Sequence, residues 1–516
     1  MMNSLLKTIE QFAQRTPDAI AIEGDDLHLS YAALQSEVVK LSDHFKRHHY
    51  QRLAILMDNS PAWIVFDLAA QMAGITLIPL PAFFSPQQIR HSLADASAEM
   101  LITDQTELTS KILPGLKSRP IQKVAGQSCW QIALPVPAGQ HTNLNGIAKI
   151  TYTSGTTGTP KGVCLTQTTM NNVADSLKKN IGITRGDRHL CLLPFAVLLE
   201  NIGGIYTPLL AGARCITPGL SKVGHLGASK IDPQQMADAI RTANASSIIL
   251  LPQMLQALIA EVATGTPLSE RLRFIAVGGA PVSRGLLDQA QALSLPLFEG
   301  YGLSECASVV AVNTPTNQRS GSVGKLLPHT QIRFAEDGEI MLKGNLFNGY
   351  LNQPSTHDEW YASGDLGHLD ADGYLYLTGR KKSCFITSFG RNVAPEWVEK
   401  ELTLHPAIDQ AVVFGEARPY NIAVIVAQPA LKQDVSQIHS AIEEANQQLP
   451  DYAQIGGWLF ADESFSLANQ QFTATGRPRR DAIWSYYAAR INHLYSQHGN
   501  TINPQHNRKE ATHAIL

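Results

Sequence analysis

The sequence has no excess of charge of either sign. Its 41 Lys and Arg residues nearly balance its 44 Asp and Glu residues, and the formal net charge is −3 at pH 7. Proteins that bind nucleic acid usually carry a basic patch or stripe. The charge balance therefore argues against a nucleic-acid partner.

Cysteine is scarce, with six in 516 residues, and none of the six forms a C-x-x-C pair. Spacing of this kind favours neither a disulfide framework nor a zinc site. We expect buried thiols in a reducing compartment. The cysteines are Cys129, Cys164, Cys191, Cys215, Cys306 and Cys384.

Long hydrophobic runs are also missing, since no stretch approaches the roughly 20 apolar residues that a membrane-spanning helix requires. Near the N-terminus Leu5, Leu6, Ile9 and Phe12 recur at helical spacing, with charged residues between them. This pattern predicts an amphipathic helix and not the unbroken apolar segment of a signal peptide. We expect a cytoplasmic protein without a transmembrane segment.

Short apolar runs alternate with segments of helical periodicity through most of the chain. Residues 53–57, 75–80 and 190–193 are typical of buried strands, and residues 60–74 of a helix opened by Pro61. Such alternation predicts βαβ units, a parallel sheet and an α/β fold.

The residue pattern changes after about residue 338. From there, short strand-like runs separated by glycines predict a small β structure of antiparallel sheets. We predict a large N-terminal domain over residues 1–380 and a small α+β domain over residues 381–495. The polar tail, residues 496–516, is expected to be mobile.

The most informative stretch, residues 150–165, reads ITYTSGTTGTPKGVCL. Small side chains leave backbone N–H groups free to converge on an anion, and glycine permits the left-handed turns that such a loop needs. Lys161 adds a mobile point charge. The pattern predicts a phosphate-binding loop, with a plain flexible linker as the alternative. The expected phosphate contacts are Thr153, Ser154, Gly155, Thr156, Thr157, Gly158 and Lys161.

This loop lacks the Walker spacing, which ends in Gly-Lys followed by Ser or Thr. Here Pro160 precedes Lys161 and Gly162 follows it. We therefore expect nucleotide binding by another fold.

Two further strings carry residue types suited to a nucleotide. In FEGYGLSE, residues 298–305, Tyr301 could cover a flat base, Ser304 offers a hydroxyl, and Glu305 is a carboxylate suited to Mg²⁺. Asp365 lies in YASGD and could accept hydrogen bonds from both ribose hydroxyls, while Arg380 could donate to the same sugar. Taken singly, these residues would be ordinary loop positions.

Together the strings resemble the adenylate-forming superfamily, which includes acyl-CoA synthetases, peptide-synthetase adenylation domains and luciferases. Residues 150–165 are similar to its phosphate loop, and residues 301–305 to its YGxTE motif, with Ser304 in place of the commoner Thr. Asp365 and Arg380 are similar to its ribose-binding residues. The motifs occur in the order of the family and span nearly the whole chain.

The resemblance implies further roles. It places a segment that approaches adenine and the acyl group at Gly278, Gly279 and Ala280, and a nucleotide contact at Gly302. It implies a wall of the acyl pocket at Phe195 and Val197. It also puts a hinge for the small domain at Lys382, and a loop that completes the thioester-forming site at residues 388–392.

The sequence departs from the family pattern at two positions. Arg477 occupies the place of a second-domain lysine that reaches the α-phosphate and the carboxylate during adenylation. Arginine keeps the charge, but its planar fork differs in shape from an ammonium group. Val197 stands where many relatives carry His or an aromatic residue at the acyl pocket.

The predicted function is activation of a carboxylic acid by ATP and Mg²⁺, with Lys161, Ser304, Glu305 and Arg477 as catalytic residues. Pyrophosphate leaves, and the acyl adenylate then reacts with a thiol of CoA or of a carrier protein's phosphopantetheine. Apolar residues at 195–199 and 308–312, and a likeness of YGLSECASVV to long-chain fatty acyl-CoA synthetases, favour a fatty or other apolar acid.

Three alternatives stay open. Arg477 suggests a non-catalytic nucleotide-binding relative. An enzyme that loads an aryl or amino acid onto a carrier protein, and an oxygen-using luciferase type, share the same adenylation motifs.

Overall fold

The structure is a computed structural model. It describes residues 4–135, 144–153, 160–226, 231–280, 282, 284–353, 359–381, 385–386, 388, 392–428, 435–449, 451–473 and 477–497. Its contacts divide the chain into two compact units, Met1–Lys381 and Lys382–Leu516. The division falls next to the domain boundary predicted at residue 380.

The helices and strands are numbered in chain order. The helices are α1 Ser4–Arg15, α2 Tyr31–His48, α3 Pro61–Ala73, α4 Pro86–Asp95, α5 Thr106–Ile112, α6 Gln167–Ile181, α7 Leu198–Glu200, α8 Thr207–Ala211, α9 Pro233–Thr242, α10 Pro252–Ala263, α11 Arg284–Ala292, α12 Pro395–Leu402, α13 Val435–Gln448 and α14 Arg480–Gln497. A π-helix, Asn201–Tyr206, joins α7 to α8, and short 3-10 turns lie at Leu220–Val223, Ser304–Cys306 and Asp451–Ala453.

The strands of the first unit are β1 Ile20–Glu23, β2 His28–Ser30, β3 Arg52–Leu56, β4 Thr76–Pro79, β5 Met100–Thr103, β6 Ser118–Pro120, β7 Trp130–Ala133, β8 Ile147–Thr153, β9 Lys161–Thr166, β10 Arg188–Leu190, β11 Arg214–Ile216, β12 Ser247–Leu250, β13 Phe274–Val277, β14 Leu297–Tyr301, β15 Ala311–Val312, β16 Lys325–Leu326, β17 Thr330–Phe334, β18 Glu339–Gly344, β19 Tyr361–Leu369 and β20 Leu375–Arg380. Those of the second unit are β21 Phe385–Ile386, β22 Asn392–Val393, β23 Ile408–Phe414, β24 Asn421–Ala427 and β25 Ile455–Phe460.

Three sheets build the first unit. The strand order of the largest is β16-β15-β14-β13-β12-β10-β11-β1-β2, and the run from β14 to β1 is parallel. The second sheet has the order β6-β7-β5-β3-β4-β8-β9, and the third is an antiparallel meander, β17-β18-β19-β20. The predicted α/β class, with its small β structure, is confirmed.

Local signals set the ends of α3. The Ser60 hydroxyl accepts a hydrogen bond from the Trp63 backbone N–H, Pro61 occupies the first turn, and Gly74 closes the helix with φ +73°. These are the residue types expected at such positions. The helix is buried over most of its length, since it lies in the main core cluster of the unit.

The strand predicted at residues 190–193 is wrong in its extent, because β10 ends at Leu190. Beyond it, the Leu193 backbone N–H donates to Glu200 Oε2 at 3.0 Å, and its carbonyl accepts from Asn59 Nδ2 at 2.8 Å. The side chains of Glu200, seven residues on, and of Asn59, far earlier in the chain, thus take the hydrogen bonds of Leu193 that a neighbouring strand would otherwise make.

The second unit is an α+β structure. Its main sheet has the order β23-β24-β25. Alternate residues of β23 and β24 pack against α12 and α13 in one cluster and against α14 in another. Side chains of a strand point alternately to its two faces, so each face of this sheet is covered by helices.

Among the described residues, no helix combines the length and apolar character needed to cross a membrane. The five described cysteines are buried free thiols, as expected. Cys384 lies outside the described residues.

Candidate nucleotide and acyl site

The predicted phosphate loop connects the antiparallel strands β8 and β9. Thr153 and Lys161 are register partners at the loop end of this hairpin, and Tyr152 pairs with Gly162. Ser154, Gly155, Thr156, Thr157 and Gly158 lie outside the described residues. The exposed side chain of Lys161 therefore starts from the base of the loop, on a strand anchored in the sheet.

Lys161 and Glu305 meet at a residue that sequence reasoning missed. The Nζ of Lys161 lies 5.4 Å from the ring centroid of Tyr350, a cation–π contact. The Tyr350 hydroxyl donates to Glu305 Oε1 at 2.6 Å and lies 3.3 Å from the hydroxyl of Tyr361. Burial, followed by the charge of Glu305, raises the pKa of Tyr361 to about 12 and raises that of Tyr350 further. Both phenols therefore stay protonated at neutral pH.

Tyr301, Asp365 and Arg380 form a second connected group. Tyr301 ends β14, and its hydroxyl donates to Asp365 Oδ2 at 2.8 Å. Asp365 and Arg380 are register partners on β19 and β20, and Arg380 Nε lies 2.8 Å from Asp365 Oδ1. The carboxylate is buried, while the Arg380 side chain is 41% exposed. Burial and the charge of Asp365 raise the pKa of Tyr301.

Tyr301 was predicted to cover a flat base. Its side chain is 7% exposed and belongs to a cluster with Cys306, Val310 and Ile340. Its hydroxyl anchors the predicted ribose carboxylate, a contact that motif spacing alone did not indicate.

The glycines of the site follow the carboxyl ends of neighbouring parallel strands. Gly278 and Gly279 come directly after β13, with Ala280 exposed behind them, and Gly302 comes directly after β14. Ligands of open α/β sheets bind at this edge. A Cβ on Gly302 would lie 1.4 Å from the Ser308 carbonyl oxygen, and one on Gly278 would lie 3.2 Å from the Gly300 carbonyl oxygen. At Gly302 only glycine fits.

The two residues predicted to line the acyl pocket differ in their surroundings. Phe195 is buried, and its ring packs edge-on against Trp63, with 5.3 Å between centroids. Its backbone N–H donates to Asn59 Oδ1 at 2.9 Å. Val197 is half-buried and immediately precedes α7. Phe195 thus belongs to the core behind the segment, whereas Val197 is partly accessible.

In the second unit, Arg477 is exposed, and its backbone N–H donates to Thr473 Oγ1 at 3.1 Å. The nearby Arg480 is different, because it forms a two-pronged ion pair with Glu399, with 2.6 Å between Nη2 and Oε2. Arg480 therefore serves the fold of this unit.

Ser304 begins a 3-10 turn in the first unit. Lys382 and most of residues 388–392 lie outside the described part of the chain.

A buried polar cluster beneath β8 was not predicted. Lys149, in the middle of β8, is fully buried, and its Nζ lies 3.0 Å from Asp67 Oδ1 and 2.9 Å from the Tyr206 hydroxyl. Asn201 Nδ2 also donates to Asp67 Oδ2, at 3.0 Å. Composition and periodicity carry no signal for such a pair, since β8 otherwise reads as an apolar strand.

A second unpredicted group adjoins it. His189 Nε2 lies 2.9 Å from Glu200 Oε1, and His189 Nδ1 lies 3.0 Å from Ser247 Oγ. Potential ligand atoms of His189, Cys191 and Glu200 lie within 4.8 Å of one another, all buried. Gly204 adjoins the pair, because a Cβ there would lie 2.0 Å from Glu200 Oε1. The His–Glu contact holds the chain between β10 and the π-helix.

Comparison with known proteins places the chain in a family. The model of the AMP-binding enzyme family matches residues 9–351, well over half of the chain, and that of the AMP-binding enzyme C-terminal domain matches residues 382–499. The chain belongs to the AMP-binding enzyme family. The expected adenylate-forming superfamily is thereby confirmed.

Named relatives in this family are CoA ligases. The 2-succinylbenzoate–CoA ligase of Bacillus velezensis is 30% identical over 430 residues, which cover 79% of this chain and 84% of the relative. The long-chain-fatty-acid–CoA ligase FadD15 of Mycobacterium bovis is 26% identical over 86% of this chain and 88% of its own. The enzyme class, an AMP-forming acid–CoA ligase, is confirmed.

Solved structures share the fold. The anthranilate CoA ligase AuaEII, in complex with anthranoyl-AMP, has a TM-score of 0.78 at 20% identity and covers 95% of this chain and 98% of its own. The o-succinylbenzoate CoA synthetase of Bacillus subtilis, in complex with its acyl adenylate, has a TM-score of 0.75 at 23% identity, covering 92% and 97%. At these identities the likeness concerns the fold of this AMP-binding enzyme.

Proposed function

We propose that this enzyme activates an apolar carboxylic acid bearing an aromatic ring, using ATP, and transfers the acyl group to CoA. The observation that carries the proposal is the pairing of two groups in one unit. Lys161 and Glu305 flank Tyr350, and the Tyr301–Asp365–Arg380 group lies at the sheet edge where β14 ends. The first group suits phosphates and the second a nucleoside.

In the first half-reaction, a carboxylate oxygen attacks the α-phosphorus of ATP, and the bond to pyrophosphate breaks. Negative charge on the phosphate oxygens must be stabilised, mainly by preorganised donors and cations. Lys161, at the base of the β8–β9 loop, supplies one cation. Thr153, on the opposite strand of the same hairpin, supplies a hydroxyl.

Glu305 fits the role of the Mg²⁺ ligand. Its Oε1 accepts the Tyr350 hydroxyl, whereas no hydrogen bond from a described residue reaches Oε2. A carboxylate oxygen is the ligand type that Mg²⁺ prefers. The ion would neutralise charge on the phosphates when bound, while Tyr350 fixes the direction of the carboxylate.

Asp365 and Arg380 are placed to hold the ribose. Each carboxylate oxygen has two lone pairs, so the oxygens bound by Tyr301 and Arg380 can each accept a further hydrogen bond from a sugar hydroxyl. Arg380 is partly exposed, and its Nε lies 2.8 Å from Asp365 Oδ1, so its charge adjoins the same carboxylate. The glycines at 278, 279 and 302 allow the backbone to come close to the nucleotide.

Arg477 would supply the second-domain cation. It is exposed, unlike Arg480, and it stands where the family pattern has lysine. Rotation of the small domain about Lys382 would then let the CoA thiol attack the acyl adenylate and release AMP.

An aromatic acid is favoured because a relative with 30% sequence identity is named as a 2-succinylbenzoate–CoA ligase. Val197, which the family resemblance puts at the acyl pocket, is half-buried and lacks the bulk of a ring. A long-chain fatty acid is the second candidate, because FadD15 is also a relative and residues 195–199 are largely apolar.

The test is ATP–pyrophosphate exchange over matched acids: benzoate, anthranilate and 2-succinylbenzoate beside fatty acids of graded length, followed by a CoA thioester assay. We expect exchange to peak with an aromatic acid and the same acid to give the thioester. Exchange that peaks with a long-chain fatty acid would establish the second candidate.

Arg477→Lys and Arg477→Ala should be measured in parallel. If Arg477 supplies the adenylation cation, Arg477→Ala loses exchange by at least tenfold, and Arg477→Lys retains or exceeds the parent rate. ATP binding without exchange for any acid would contradict the proposal and support a non-catalytic role.

A further inference from the structure

The segment formed by residues 345–351 links the two parts of the proposed phosphate site, the strand that begins at Lys161 and the turn that carries Glu305. On one side it pairs with β9, because the Leu351 N–H donates to the Gly162 carbonyl at 2.7 Å and the Asn348 N–H donates to the Cys164 carbonyl at 2.8 Å. The Cys164 N–H returns a bond to the Gly349 carbonyl at 3.1 Å. These bonds fix the segment in register with the strand that begins at Lys161.

On its other side the same segment donates two hydrogen bonds to Glu305. The Phe347 N–H donates to the Glu305 carbonyl at 2.7 Å, and the Tyr350 hydroxyl donates to its carboxylate at 2.6 Å. The Phe347 ring packs edge-on against Tyr350 and Tyr361, with centroid distances of 5.0 and 5.3 Å. Both the backbone and the side chain of Glu305 are thus tied to one short segment.

Two glycines permit this close approach. A Cβ on Gly162 would lie 2.9 Å from Ile150 Cγ2 and 3.2 Å from Leu351 Cβ. Gly349, next to Tyr350, has φ +99°, which strongly favours glycine. The backbone therefore brings the Tyr350 ring against Lys161 and its hydroxyl against Glu305.

We propose that Tyr350 is a positioning residue that couples the metal-binding carboxylate of Glu305 to the phosphate-binding ammonium of Lys161. This inference rests on the proposed function, because Glu305 and Lys161 have these roles only if the site binds Mg²⁺ and ATP. The hydroxyl directs Oε2 of Glu305 toward the metal by occupying Oε1. The ring face holds the ammonium through a cation–π contact while the hydroxyl holds the carboxylate.

The two contacts of Tyr350 are separable by substitution. Tyr350→Phe removes the hydroxyl and keeps the ring, whereas Tyr350→Leu removes both. The measurement is calorimetric binding of ATP to the full chain without any acid, in EDTA and then with Mg²⁺. Because no turnover occurs, the readout is independent of the carboxylic acid and of catalysis.

For Tyr350→Phe we expect ATP affinity in EDTA within about twofold of the parent, since the cation–π contact remains. The gain in affinity produced by Mg²⁺ should fall by about tenfold, the low end of the effect of losing a partner of a metal ligand. Tyr350→Leu should show the same loss and also bind ATP about two- to fivefold more weakly in EDTA.

Tyr374→Phe is the matched control. Tyr374 lies in the same unit with its ring against the cations of Arg319 and Lys325, away from Glu305. We expect the parent response to Mg²⁺ in this variant. Glu305→Gln should abolish the gain produced by Mg²⁺.

The outcomes distinguish a failure of the positioning role of Tyr350 from a failure of the proposed function. If Glu305→Gln loses the gain from Mg²⁺ and Tyr350→Phe keeps it, the positioning role is overturned while the proposed function stands. If the parent shows no effect of Mg²⁺ on ATP binding, the proposed function fails and the positioning role fails with it. A tenfold loss confined to the Mg²⁺ arm of Tyr350→Phe supports the inference.

Discussion

Lys149→Met offers the most direct test of the buried polar cluster beneath the β8–β9 hairpin. The substitution keeps the length and apolar stem of the side chain and removes the ammonium. Asp67, fully buried, then loses its only cation among the described residues. Removing one partner of a buried ion pair costs about 3–5 kcal/mol, because the other charge stays buried without compensation.

The neighbours of Asp67 place the cost near the lower end of this range. The Tyr206 hydroxyl still donates to Asp67 Oδ2 at 2.7 Å, Asn201 Nδ2 at 3.0 Å, and Gln71 Nε2 reaches Oδ1 at 3.3 Å. Hydrogen bonds to a charged group each stabilise by about 1.5–3 kcal/mol. We therefore expect the free energy of unfolding of the first unit to fall by about 3 kcal/mol.

Urea unfolding followed by tryptophan fluorescence is a suitable assay, since Trp63 lies 5.8 Å from Lys149 Nζ. With a urea m-value of about 3 kcal/mol/M, a loss of 3 kcal/mol lowers the midpoint by about 1 M. The double variant Lys149→Met/Asp67→Leu should lose much less than the sum of the two single variants, because no buried charge remains.

Lys343→Met is the matched control, since Lys343 also lies over a tryptophan ring and pairs with a carboxylate, Glu359, but on the surface. Its loss should stay below about 1 kcal/mol. A similarly small loss for Lys149→Met, or additive effects in the double variant, would refute the reasoning.

Three further substitutions test other parts of the first unit. Burial raises the pKa of Asp104 to about 6, above its unfolded value of about 3.9, so its ionisation costs stability as the pH rises from 4 through 6. At about 1.4 kcal/mol for each pH unit between these two values, Asp104→Asn should be more stable than the parent by about 3 kcal/mol at pH 8 and equal to it below pH 4, measured by urea unfolding. Gly302→Ala should abolish soluble expression or ATP binding, because its Cβ would collide with the Ser308 carbonyl. Asp365→Asn should raise the KM for ATP by at least tenfold in the exchange assay, since it removes the charge that holds Arg380 and accepts the ribose hydroxyls.

For each of these three predictions, a specific result would contradict the reasoning behind it. A stability difference for Asp104→Asn that is the same at pH 4 and pH 8 would contradict the raised pKa. Gly186→Ala, where a Cβ finds only Thr184 Oγ1 at 3.8 Å, should be tolerated, and equal effects at Gly186 and Gly302 would remove the steric explanation. An unchanged KM for ATP in Asp365→Asn would exclude the ribose role.

Sequence reasoning succeeded where the determinants are local. The cap, first-turn proline and closing glycine of α3 lie within or next to the helix itself, and its ends follow from them. The nucleotide motifs are likewise contiguous strings, and the family model matches confirm the superfamily that they indicated. The roles of the individual residues in those motifs stay predictions.

It failed where the determinants are distant in sequence. Leu193 does not continue the strand, and the side chains of Glu200 and Asn59 take its hydrogen bonds. The expectation of a fatty or other apolar acid stays a prediction, since the relatives include both aryl and fatty acid ligases. A few side chains decide such selectivity, and their positions depend on packing across the unit.

The sequence by itself determined the α/β alternation and the family and predicted a phosphate loop, because period, turn chemistry and short motifs are carried by neighbouring residues. Only the tertiary structure decided that Tyr350 joins Lys161 to Glu305, that Tyr301 anchors Asp365, and that a lysine is buried beneath the β8–β9 hairpin. These contacts join residues far apart along the chain, and strand register and core packing bring them together.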